Sequence, residues 1–193
     1  MRLLGILGPS WRAWLLLPAL ALWPGAAGAN IRISNLAIFL NDQDLVVEAV
    51  LLQAIPASFH ESLKSGVPVQ ARFFVELWQY NRFWPDRRVT ARTVERRLTY
   101  NVLTKEYTVV FMAEEVREPY LTKELWEAQR ILSDLRGLKL VSASELDPQQ
   151  LFYVLVRAEV SVRGPSTLVS RFLGEAEETD WVRSSYLTIM RRR

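Results

Sequence analysis

Six arginines, Arg82, Arg87, Arg88, Arg92, Arg96 and Arg97, crowd a short stretch beside Phe83 and Trp84. Guanidinium forks next to aromatic rings suit phosphates, carboxylates or the acids of a partner protein. Arg88, Arg92 and Arg96 are separated by even numbers of residues, so on a strand they share one face. With Trp84 they form the candidate partner-binding face, expected to be exposed beside an apolar patch. A competing role is to guard an edge strand, where long cationic side chains block sheet-to-sheet aggregation.

Other reactive types are sparse. His60 is the single histidine and there is no cysteine. That removes thiolate nucleophiles, disulfides, thiolate metal sites and the acylated cysteine of a lipoprotein. A lone histidine lacks the partners of a triad or a transition-metal site, and its plain reading is a helix-end side chain. The acids group as Asp42 with Asp44, Glu114 with Glu115, and Glu175, Glu177, Glu178 and Asp180, in turns and loop ends where solvated charge is the default. A carboxylate pair meeting in space remains open as a hydrolase reading and requires a raised pKa in a shared pocket. Phosphate loops, GxSxG elbows, HExxH helices and D-x-D-x-D-G calcium loops are missing. No catalytic residue, cofactor or metal is expected. Trp78, Trp84, Trp126 and Trp181 read as core or interface anchors rather than a sugar platform.

The elements that must position these residues are mostly strands. Ile31 to Leu40 alternates and turns at Asn41–Asp44 into Leu45–Ile55. Pro56 to Ser65 reads as a short helix with Phe59 and Leu63 on one side and Gly66 as its stop. Val67 to Phe83 has period two and ends at Trp84-Pro85-Asp86, because proline cannot donate to a ladder. Strands follow from Arg87 to Tyr100 and from Tyr107 to Met112. Thr122 to Arg136 has helical spacing, with Thr122 as cap and Gly137 as stop. Leu138 to Val141 is a short strand. Leu151 to Val162 buries Phe152, Val154, Val156, Ala158, Val160 and Val162, and leaves Tyr153, Arg157, Glu159, Ser161 and Arg163 to water. A loop or short helix from Gly164 to Glu178 precedes a last strand, Trp181 to Met190. The pattern predicts a mainly β chain: an antiparallel two-layer β-sandwich of about eight strands with one or two short helices.

Arg2 and Arg12, the apolar run Ala13 to Trp23, the break Pro24-Gly25 and small Ala27-Gly28-Ala29 stand in the order of a secretory leader. Residues 1–29 are therefore expected to be a signal peptide, cleaved after Ala29, and 30–193 one β-rich domain. The run is about 11 residues, against roughly 20 for a membrane-spanning helix. The 193-residue chain has 24 Lys and Arg against 21 Asp and Glu. Removing the leader leaves 22 cations against those 21 acids, so no global field calls for nucleic acid. Membrane association is expected only if the leader is retained.

Gly66-Val67-Pro68, the strand ending in Trp84-Pro85-Asp86, Leu98 to Tyr107 (LTYNVLTKEY), Phe152 to Arg157 (FYVLVR) and Trp181 occur in an order that resembles the domain of unknown function 4390 family of exported, mainly proteobacterial proteins. Asn101 departs from the expected acid, and Tyr186 from the expected tryptophan. The resemblance implies export, an undefined role and genomic association with a membrane sensor kinase; it supplies no catalytic residue. Within these motifs, Asp86 is suited to accept backbone N–H bonds in a tight turn, and Tyr100 and Tyr107 to pack as a cross-turn pair. The reading that follows is a periplasmic, non-catalytic binding or accessory module whose partner is another envelope protein. The alternatives are a structural envelope protein without a discrete ligand and a carboxylate-dependent hydrolase.

Overall fold

Apolar residues at every second position along Val69–Tyr80 and Leu151–Val162 put one face of each strand wholly inside, and these strands pair at the centre of the larger of two sheets. The computed structural model describes residues 31–113, 115, 117–162 and 176–189. The leader with its cleavage point after Ala29, most of the Gly164–Glu178 connection, Glu114, Glu175 and Arg191 to Arg193 lie outside the described residues.

Strands β1 (Arg32–Asn41) and β2 (Asp44–Leu52) form a hairpin whose turn places Asp42 at φ 55°. A 3-10 turn at Ala57–Phe59 runs into α1 (His60–Lys64), which buries Phe59 and Leu63 as their spacing predicts. Then come β3 (Val69–Tyr80), β4 (Arg87–Asn101), β5 (Glu106–Ala113) and β6 (Tyr120–Thr122). Helix α2 (Leu125–Ser133) leads into β7 (Asp134–Ser142) and β8 (Leu151–Val162). The short β9 (Ala176–Glu178), β10 (Val182–Arg183) and β11 (Leu187–Thr188) all pair with β8.

All pairings are antiparallel. The small sheet has the order β1-β2-β7 and the large one β10-β8-β3-β4-β5-β6, with β9 and β11 also on β8. Leu45, Val47 and Leu51 of the small sheet share one core with Phe73, Val75, Leu98, Phe152 and Val156 of the large one. Each such fully buried Leu, Val or Phe contributes about 1.5–3 kcal/mol. The mainly β, two-layer expectation holds, with eleven strands among the described residues rather than about eight.

Three local expectations are corrected. The helix is shorter than Thr122–Arg136: Thr122 ends β6, and from Asp134 the chain leaves the helix for β7, Asp134 and Leu135 pairing with β2. Pairing that buries Leu135 beside Ala49 overrides local helical spacing. Gly137 is consequently no helix stop. It sits inside β7 at φ 67°, where Leu135 faces Ala49 and Leu138 faces Val47, so one extra residue bulges out. Lastly, Tyr153, Glu159 and Ser161 of β8 are buried rather than wet. The chain after β9 returns across that face: Arg183 lies 3.9 Å over the Tyr153 ring and Trp181 packs 5.1 Å from the Arg157 guanidinium.

Candidate functional site

Whether Arg88, Arg92 and Arg96 share a face depends on the register of β4 against β3. Arg96 lies opposite Ala71, Arg92 opposite Val75 and Thr90 opposite Leu77, all on the inward side. Arg88 then pairs with Trp78, leaving Val89 as an extra residue. This one-residue bulge resets the alternation, because side chains flip faces at each step along a strand. The expected single arginine face is thus broken: Arg88 turns outward, while Arg92 and Arg96 stay on the inward side, Arg96 buried and Arg92 half-buried.

Arg88 joins Glu76 on the outer side at 2.9 Å, and Trp84 stands 80% exposed in the β3–β4 turn. Neither touches the interior.

Arg96 points inward and is 1% exposed. Its Nε and Nη2 each donate to one oxygen of Glu115 at 2.7 Å. Its Nη1 donates to the carbonyls of Ile131 and Asp134, also at 2.7 Å. Carbonyls at a helix C-terminus lack intrahelical donors, and a cation there complements the helix dipole. Phe73 and Phe111 flank the guanidinium with ring centroids at 5.9 and 5.4 Å. Arg96 is therefore a buried strut between β4, α2 and the β5–β6 connection, not a docking group. Glu115, expected in solvent, is its buried counter-ion. The available signal was parity: Arg96 stands on the apolar side of β4 between Val94 and Leu98.

Arg92 spans the gap between the sheets, and its Nη2 donates to the Leu140 carbonyl of β7 at 3.3 Å. It lines a cleft of about 400 Å³ with Glu115, Arg117, Arg136, Gly137, Leu138 and Lys139. In a regular strand Arg136 and Lys139 would face opposite ways. The Gly137 bulge turns both toward the cleft. Arg117, Arg136 and Lys139 were not singled out from sequence, since they are scattered over two segments.

Among the described residues the cleft is lined by the cations Arg92, Arg117, Arg136 and Lys139 and by Glu115, and ion pairs with Glu115, Asp134 and Asp44 tie Arg117, Arg136 and Lys139. Arg136 holds Asp134 and Lys139 holds Asp44 at 2.8 Å, while Arg117 reaches Glu115 at 3.8 Å. The three cationic side chains are 56–69% exposed. Exposed pairs of this kind contribute only about 0–1 kcal/mol each, so an incoming phosphate or carboxylate competes for them at little cost. The bidentate Arg96–Glu115 pair stays in place behind them.

The remaining candidates disperse. His60 opens α1, half-buried. Trp126 is 61% and Trp181 42% exposed, so neither is a core anchor; Trp78 is half-buried and donates to Glu76 at 2.9 Å. Tyr100 and Tyr107 pack across their turn with centroids 4.7 Å apart, and Asp86 accepts the Asn81 N–H at 2.9 Å, both as their motifs suggest. Glu48 and Asp134 border a second cleft of about 250 Å³ with Arg136. Burial pushes the Glu177 carboxyl up, against the opposing hydrogen bond from the Ile31 N–H, but Glu177 lies on β9 and lines neither cleft. Among the described residues no group of three His, Cys, Asp or Glu could hold a metal ion, and no helix is long and apolar enough to cross a membrane.

A family model described as a domain of unknown function (DUF4390) matches residues 28–178. No curated protein and no solved structure matches the chain.

Proposed function

The chain belongs to the domain of unknown function 4390 family, and on that premise we propose that it is an exported, periplasmic binding or accessory module of the bacterial cell envelope, without catalysis of its own. Its partner is another envelope protein, which it engages through acidic or phosphorylated groups seated in the Arg92–Arg117–Arg136–Lys139 cleft. A link to a membrane sensor kinase is the form of partnership that the resemblance implies. One observation carries the reading: among the described residues, four cationic side chains from three segments converge on one cleft, and Glu115, which also lines it, is held from behind by Arg96. The leader-like order of residues 1–29 supports export.

The test is calorimetric titration of the purified protein with a polyglutamate peptide and with inorganic phosphate at low salt. The combined Arg117→Glu, Arg136→Glu and Lys139→Glu variant is expected to weaken binding by about tenfold or more, and Arg88→Glu to leave it unchanged. Equal affinity of the native and triply reversed proteins for both probes overturns the cleft. Export is checked by N-terminal sequencing of the protein from an osmotic-shock fraction, where Asn30 is the expected first residue.

A further inference from the structure

The turn joining β3 to β4 has no part in the cleft, yet it carries the two most exposed rings of the described chain. Phe83 is 84% and Trp84 80% exposed, side by side. Water-exposed neighbouring rings on a soluble surface are costly and mark contact with something apolar.

The turn is built to hold them out. Asp86 Oδ1 accepts the Asn81 N–H at 2.9 Å, Asn81 Nδ2 donates to the Pro85 carbonyl at 3.1 Å, and the Tyr153 hydroxyl donates to Asp86 Oδ2 at 2.7 Å. The first two bonds brace the turn within itself and the third ties it to β8, and the rings are presented rather than folded back. Around them stand exposed Arg82, Arg87 and Arg88. Arg82 lies over the Phe83 ring at 5.5 Å, and Arg87 is steadied by the neutral Gln79 at 2.6 Å. The acid of the turn, Asp86, is engaged inward, and Arg88 is held by Glu76 at 2.9 Å, so Arg82 and Arg87 are the cations the turn presents beside the rings. The other long turn, Asn101–Lys105, also exposes Val102 and Leu103, but there Lys105 adjoins Glu106 and no aromatic ring is presented.

We propose that the Phe83-Trp84 turn docks the protein on the surface of an anionic phospholipid bilayer, the two rings entering the headgroup region and Arg82 and Arg87 meeting lipid phosphates. Trp and Phe beside arginine are the side chains that settle at the membrane–water boundary. The local charge fits an anionic leaflet although the whole chain is nearly neutral, because such attraction acts within about 10 Å. A protein partner is the weaker fit: a stable protein interface takes about 800 Å² from each side, and two rings on a convex turn offer no groove and little area. This contact is independent of the leader and of the cleft.

Cosedimentation with vesicles of phosphatidylglycerol and phosphatidylcholine tests it. Binding to the mixed vesicles at low salt, none to phosphatidylcholine alone, and a loss of about tenfold or more in the Phe83→Ala, Trp84→Ala variant are expected. That variant should keep its polyglutamate affinity, and the cleft variant should keep its lipid binding, which separates the two readings. As a check free of folding effects, brominated lipid should quench tryptophan emission of the native protein and not of Trp84→Phe. Absence of cosedimentation, or vesicle binding unchanged in the double variant, overturns the proposal. So does a photocrosslinker at position 84 that labels an envelope protein and no lipid.

Discussion

The guanidinium of Arg96 and the carboxylate of Glu115 form a two-pronged pair buried between β4, β5 and the end of α2, with both N···O distances at 2.7 Å. The remaining Arg96 donors close carbonyls that the helix leaves open. A pair of this kind is costly to break from one side, because the partner left behind is a buried charge.

Arg96→Ala should lower unfolding stability by about 3–5 kcal/mol, since it strands Glu115 and the carbonyls of Ile131 and Asp134. Urea denaturation followed by circular dichroism measures it. The Arg96→Met, Glu115→Leu double variant should be less damaged than Arg96→Ala alone. A loss below about 1 kcal/mol for Arg96→Ala would mean that the pair is solvated rather than structural.

The Tyr153–Asp86 hydrogen bond makes stability depend on pH at both extremes. The bond from Tyr153, and then that from the Asn81 N–H, hold the Asp86 carboxyl below its ordinary value of 3.8. Its contribution is present above that value and is lost as pH falls through the lower folded value. Burial, then the bond to Asp86, pushes the Tyr153 phenol up to about 12 from 10.0. That contribution is full below pH 10 and is lost as pH rises through about 12. Tyr153→Phe should cost about 1 kcal/mol at neutral pH and remove this late-titrating phenol from the ultraviolet titration.

Glu177 carries the opposite sign to Asp86. Its carboxyl is raised above 4.5, chiefly by burial. Its favourable neutral form therefore supports folding below the ordinary value, and that support is lost as pH rises through the folded value. At neutral pH the ionised group opposes folding. Glu177→Gln, which retains an oxygen for the Ile31 N–H, should melt higher than the native protein at pH 7. The two melting curves should converge as the pH is brought below 4.5. A variant that melts lower at pH 7 would show the charge to be favourable.

Much of the fold is legible in the residues taken in order. Strand β8 occupies Leu151–Val162 as its alternation predicts, the Phe59–Leu63 pair is buried by a short helix, and Trp84-Pro85-Asp86 lies in the turn after β3, although the strand stops at Tyr80, short of the expected Phe83. Period two and proline's missing N–H are local properties, so the chain displays them without help from its neighbours. The division of the arginines was beyond such reading. Arg88, Arg92 and Arg96 have one parity on paper, but the extra residue at Val89 turns Arg88 outward, and no residue type at that place announces it. Gly137 did carry a hint, since glycine inside a strand marks a bulge, yet helical spacing before it suggested a helix stop instead. Burial of Glu115 and convergence of Arg117, Arg136 and Lys139 on Arg92 follow from which strands lie opposite one another. Alternation sets the side of each residue relative to its own strand alone; cross-strand pairing sets where that phase restarts, and only the assembled sheets contain that information.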